Sequence, residues 1–141
     1  MLDLRALFKP GKNALVRTPV QRQDTAEGYS PFLSNLLATP ALAGMVIQAA
    51  VEAVDRHLPE GYATIGHSLD LSHEAPTCLG MTVTVKVTLV EIDGMKLRFE
   101  ILVWDDLGEI SRGHHERIVV NKDEFVQKTQ ERLQYMVERN L

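Results

Sequence analysis

The sequence predicts an α+β domain: a curled antiparallel sheet around one long central helix, followed by an amphipathic helix at the C-terminus. Three observations predict it. Thr39 to His57 has helical character and is apolar on nearly every side, with no charge from Ala41 to Ile47. Met81 to Ile92 alternates, with Met81, Val83, Val85, Val87 and Leu89 on one side and Thr82, Thr84, Lys86 and Thr88 on the other, the period of a half-buried strand. Phe125, Val126, Leu133, Met136 and Val137 then return at helical spacing. In a chain of 141 residues, an apolar rod of this kind can be buried only if a sheet embraces it.

Taken in order, Met1 to Gly11 mixes Leu, Phe and charges before the turn-forming Lys9-Pro10-Gly11, and Asn13 to Val20 is a short strand with Ala14 and Val16 facing in. Gln21 to Leu36, punctuated by Gly28 and Pro31, is a connection with a helical turn around Phe32 to Leu37, of the kind that lies over pocket mouths. Thr39 is the expected N-cap of the central helix and Pro40 its first residue, where a missing N–H costs nothing. Gln48, Glu52, Asp55 and Arg56 form a polar stripe on its second half, and Pro59-Glu60-Gly61 stops it.

From Tyr62 onward the period is that of strands. Asp93-Gly94 tolerates the positive φ of a tight hairpin, Leu97, Phe99, Ile101 and Val103 carry the apolar face back, and Asp105 to Gly108 turns the chain into a strand from Glu109 to Val120. Asn121 and Asp123 can cap the last helix, Glu124 to Arg139, which is expected on a surface. The order is a strand, a buried helix, four strands in a largely antiparallel meander and an amphipathic helix. That is the hot-dog architecture, in one domain spanning residues 1–141. Its open sheet edges predict a homodimer. A dimer of dimers is compatible with the same sequence, which does not choose between the two.

The formal charge of -4 has no block of like sign behind it, so neither nucleic acid nor an anionic membrane is an expected partner. Cys78 is the only cysteine, which excludes an internal disulfide and any cysteine-rich zinc site. The N-terminus has no apolar stretch for a signal peptide or span, and a cytoplasmic location is expected.

Chemistry is best sought in Tyr62 to His73. Alternation there places Ile65, His67, Leu69, Leu71 and His73 on one face and Thr64, Gly66, Ser68, Asp70 and Ser72 on the other. His73 would end the strand on the apolar side, just before the irregular Glu74 to Gly80, where a pocket can open and a neutral imidazole can act as a base. A core-edge histidine bonded to a backbone carbonyl is the competing reading.

Three motifs in succession, Leu37 to Met45, His73 to Thr77 with Gly80 to Thr84, and Gly113 to Arg117, resemble the fluoroacetyl-CoA-specific thioesterase family and its hot-dog relatives, over about Leu36 to Phe125. The resemblance implies a homodimeric hot-dog fold, an acyl-CoA or other small thioester as substrate, and catalytic residues Thr39, His73 and Arg117. Gly44, Ile47, Gln48 and Pro76 are the expected substrate-binding positions. The chain departs from the pattern at Ile47, where the family has a glutamate eight residues after the threonine. Isoleucine can neither attack a thioester nor activate water. Gln48 and Glu52 are turned from Ile47 by about 100° and 140° around a helix.

No cofactor is expected beyond the CoA portion of a substrate. His114, His115 and Glu116 are adjacent on a strand and point to alternate faces, so no metal site is expected there. Arg117 meets either a CoA phosphate, a pocket carboxylate or a surface neighbour across the sheet. His57 is expected at the helix end, His67 on the core side of its strand, Met45 in the core, Trp104 on the wet face, and Cys78 as an inert small residue. Two functions compete. One is acyl-CoA hydrolysis with His73 as general base, assisted by Thr39 and Arg117. The other is a non-catalytic thioester-binding protein that kept the pocket. A hydratase lacks a convincing Asp-plus-His pair.

Overall fold

The computed structural model describes residues 2–141. A short helix α1 (Leu4–Leu7) and strand β1 (Asn13–Pro19) lead into three 3-10 turns, the central helix α2 (Thr39–Val54), strands β2 (Tyr62–Leu71), β3 (Thr82–Asp93), β4 (Lys96–Asp105) and β5 (Gly108–Asn121), and helix α3 (Lys122–Arg139). All pairings are antiparallel, and the sheet order is β1-β3-β4-β5-β2. Only β3, β4 and β5 form a meander. β2 crosses to the far edge and pairs with β5, so the expected four-strand meander is corrected to three.

The core follows from the two periodicities. Leu42, Met45, Val46, Ala49, Ala50, Ala53 and Val54 of α2 are buried against Val83, Val85, Val87 and Leu89 of β3 and Leu97, Phe99, Ile101 and Val103 of β4. The alanines along the helix let the sheet approach its backbone closely. Gly94 takes the expected positive φ of 60° in the hairpin between β3 and β4. The helix is not enclosed on every side: Gly44, Ile47 and Gln48 form an uncovered strip, with Ile47 at 37% exposure.

In β2 the predicted alternation fails. A bulge between Gly66 and Ser68 puts one extra residue, His67, opposite β5. Thr64, expected on the wet face, is buried, whereas His67 and Leu69, expected on the core face, are exposed. Farther along the same pair the backbones crowd: a Cβ on Gly113 would lie 1.7 Å from the carbonyl oxygen of Asp70.

Helix α3 begins with Asn121 as its cap, the side chain accepting from the Glu124 N–H, and none of its residues is buried. It leaves the sheet at its own start. No helix among the described residues is long and apolar enough to cross a membrane.

Candidate active site

The site is built where the start of α2 meets the chain beyond β2. β2 ends at Leu71, two residues earlier than expected, yet the chain stays attached to β5: Ser72 N–H donates to the Arg112 carbonyl and Glu74 N–H to that of Ile110. His73 lies between these anchors. Pro76 cannot extend a ladder, and the chain swings away to Thr77, whose carbonyl accepts the N–H of Leu37, two residues before α2. Thr39 and His73, 34 residues apart, thereby come together with Oγ1 and Nδ1 at 2.8 Å.

Thr39 does not cap the helix. Ala38 holds the cap position without a side-chain bond, and Thr39 is the first helical residue, its hydroxyl committed to His73. Burial lowers the His73 pKa from its ordinary value of 6.5, which favours the neutral imidazole. The Nε2 atom has no protein partner among the described residues, so one ring nitrogen is held and the other is available.

A cavity of about 260 Å³ opens beside this pair. Thr39, His73 and Glu74 provide its polar lining; Leu33, Leu36, Ala75 and Pro76 are among its apolar lining. Two of these, Leu33 and Leu36, belong to the connection before α2, so that segment does cover a pocket mouth. Gly44, Ile47 and Gln48 do not line the cavity; they lie farther along α2 on its uncovered strip.

Arg117 is elsewhere. It is 5% exposed and spends its donors inside the protein: Nε on Thr64 Oγ1 (2.7 Å), Nη2 on the Thr64 carbonyl (3.0 Å) and Nη1 on His115 Nε2 (3.2 Å). Thr64 in turn donates from its hydroxyl and its N–H to the carboxylate of Asp55, just beyond α2. Of the neighbours weighed for Arg117, the surface one is corrected: its bonds form a buried network joining the end of α2 to β2 and β5. None of its bonds reaches Thr39 or His73. His115 is buried and His114 is not, as adjacent strand residues require, and no group of three metal-ligating side chains occurs among the described residues.

Sequence reasoning missed Asp55, Thr64 and His115 as a unit, because their partners are set by strand pairing and not by local spacing. It also missed the buried hydrogen bond from Thr77 to Asp105 (2.7 Å), a residue legible only as part of a turn.

A five-stranded antiparallel sheet curled on one helix, with a hydroxyl–imidazole pair at a cavity by the helix start, defines a hot-dog protein of the thioesterase kind. The solved structures it resembles include a hot-dog-like protein from Thermanaerovibrio acidaminovorans, 30% identical with a TM-score of 0.88 over 93% of this chain and 97% of that one. They also include the fluoroacetyl-CoA-specific thioesterase FlK, 27% identical with a TM-score of 0.80 over 88% and 96% of the two chains. The fluoroacetyl-CoA thioesterase of Streptantibioticus cattleyicolor is 31% identical over 97 residues, 69% of this chain and 70% of that protein. The family model described as FlK, fluoroacetyl-CoA-specific thioesterase, matches residues 20–123, and the chain belongs to that family.

Proposed function

We propose that this protein hydrolyses a small acyl-CoA-type thioester, with His73 as general base. The observation that carries the reading is the 2.8 Å contact between Thr39 Oγ1 and His73 Nδ1 on the wall of a cavity. With the Nδ1 proton donated to Thr39, Nε2 holds the lone pair that takes a proton from water as its oxygen attacks the thioester carbon. The tetrahedral oxyanion lies near the start of α2, where unpaired N–H groups and the helix dipole favour negative charge. Collapse breaks the C–S bond, and the imidazolium returns its proton to the departing thiolate. A thiol of ordinary pKa near 8.5 is a good enough leaving group that no strong acid is needed.

The relatives support the substrate class: FlK has been solved with fluoroacetate and CoA. Ile47 occupies the family's glutamate position, so the imidazole works without a carboxylate from α2. Arg117 acts in support by fixing Thr64 and β2. The uncovered strip of Gly44, Ile47 and Gln48 and the exposed edge of β2 are where a second copy completes a homodimer and brings these residues toward substrate. The reaction needs no cofactor or metal.

The test is CoA release from a panel of short and medium acyl-CoAs, expected for at least one and reduced about a hundredfold or more in His73→Ala. Equal turnover in that variant would remove His73 from the mechanism. Ile47 favours a second reading, a protein that binds acyl-CoA without hydrolysing it. Micromolar binding without turnover across the panel would establish that reading instead.

A further inference from the structure

We propose that Thr77 and Asp105 are positioning residues that set the Thr39–His73 contact; this rests on the reading of that pair as catalytic. Thr77 is 0% exposed and is bonded to both arms of the site. Its carbonyl accepts the Leu37 N–H at 2.8 Å, holding the arm that leads into Thr39, and its hydroxyl donates to Asp105 Oδ2 at 2.7 Å, tying the same residue to the sheet. His73 is only four residues upstream, with Pro76 between.

The surroundings give this junction its stiffness. Leu36 and Cys78 form a bridge, and Leu79 N–H donates to the Asn35 carbonyl at 2.9 Å, so residues 77–79 run as a short antiparallel pair beside 35–37. The other end of the arm is held by Ala38 N–H on the Asp24 carbonyl. On the sheet side, Asp105 is 7% exposed and accepts the Leu107 N–H on Oδ1, which fixes the turn between β4 and β5, while Oδ2 is directed to Thr77. A turn needs only the first of these bonds. The second spans 28 residues to the segment that carries His73.

A carboxylate accepting two hydrogen bonds holds both donors firmly, since each is charge-assisted, and the Thr77 bond is buried away from water. Small errors in the placement of a base are costly, and an ångström of misplacement is worth about a hundredfold in rate. Thr77 and Asp105 touch no substrate in this scheme. They act through the position of His73 relative to Thr39.

The test compares Thr77→Val, which keeps the shape and removes the hydroxyl, with Thr77→Ser, which keeps the hydroxyl. Three quantities are measured: kcat and KM on an acyl-CoA that the parent hydrolyses, the His73 imidazole titration by NMR, and thermal unfolding. Thr77→Val is expected to lower kcat about tenfold or more with KM within about twofold. It also moves the His73 midpoint up toward 6.5 as the ring gains solvent. Thr77→Ser returns both to near the parent. A folded Thr77→Val with parental kcat and parental His73 titration overturns the proposal.

Should Thr77→Val fail to fold, Thr77→Ala carries the same test. It removes the hydroxyl without setting a methyl group against the Asp105 carboxylate; an unchanged kcat and titration in the folded variant would equally overturn the proposal. The two readings fail separately. Parental turnover in His73→Ala removes the catalytic role of the pair, whereas the NMR midpoint in Thr77→Val decides the positioning whether or not the pair is catalytic.

Discussion

Nη1 of Arg117 lies 3.2 Å from Nε2 of His115, and this contact fixes the state of the histidine. An arginine has no lone pair to offer, so Nε2 is the acceptor. The other ring nitrogen, 2.7 Å from the Ser68 carbonyl, must carry the proton. The buried ring is thus neutral, joining Arg117 on one side to the β2 bulge on the other.

Stability is therefore expected to fall in acid. Burial is the largest influence on His115 and lowers its pKa from 6.5, against a raising effect of the Ser68 bond and of Glu116 and a lowering one of Arg117. The unfolded chain binds the proton first, so stability is fully present above 6.5 and is lost as pH falls through the lower folded value. Denaturant unfolding between pH 8 and 5 checks this. His115→Gln, which keeps an acceptor for Arg117 and cannot titrate, should flatten the decline. His115→Ala should cost about 2–4 kcal/mol by leaving the Arg117 donor and the Ser68 carbonyl unpaired.

Hydrolysis has its own acid limb. His73 must be neutral to accept a proton, and its lowered pKa means that kcat/KM holds below 6.5 before falling. A pH profile on one acyl-CoA measures it. A limb centred above 6.5 would contradict the burial of the ring.

Restoring the family's carboxylate is expected to raise hydrolysis. Ile47 is 37% exposed in the single chain and lies on the strip proposed to face a second copy, so Ile47→Glu is expected to leave the fold of the chain intact while costing about 1 kcal/mol or more where the partner covers it. Single-turnover rates of the variant and the parent provide the comparison. A rate no higher than the parent's would show that this position does not reach the thioester.

Gly113→Ala is expected to be among the most damaging small substitutions in the chain. The added carbon would meet backbone atoms of Asp70 at 1.7 Å and Leu71 at 3.0 Å, so β2 must move away from β5. A loss of about 3 kcal/mol or more is expected in urea titration. The displacement would also reach Ser72 and His73, so the folded fraction should turn over more slowly.

Removal of residues 124–141 should be nearly silent for the fold. No residue of α3 is buried, and little of the core depends on it. A truncated chain is expected to melt within a few degrees of the parent and to retain turnover, as differential scanning calorimetry and CoA release would report.

The elements visible in the sequence are those whose cause is local. The alternation of Val83 to Leu89, the Asp93-Gly94 turn, the apolar run of α2 and the spaced apolar residues of α3 each follow from one stretch of chain. His73 and Pro76 at a cavity wall were legible for the same reason, since a strand end followed by proline must turn away from the ladder.

What tertiary structure alone decided were the partners. Thr39 reads as a helix cap because a hydroxyl at that position ordinarily bonds the first turn, yet a histidine 34 residues away takes it instead. In β2, Thr64 is buried and His67 and Leu69 are exposed, and strand pairing inserts one extra residue at His67, none of which alternation along the sequence carries. Arg117 is buried because Thr64 and His115 use its donors, and Thr77 meets Asp105 because two distant segments close on each other. Periodicity is a property of neighbours along the chain, and it determined the elements of this hot-dog domain. Hydrogen-bond partners are a property of neighbours in space, and they determined its site.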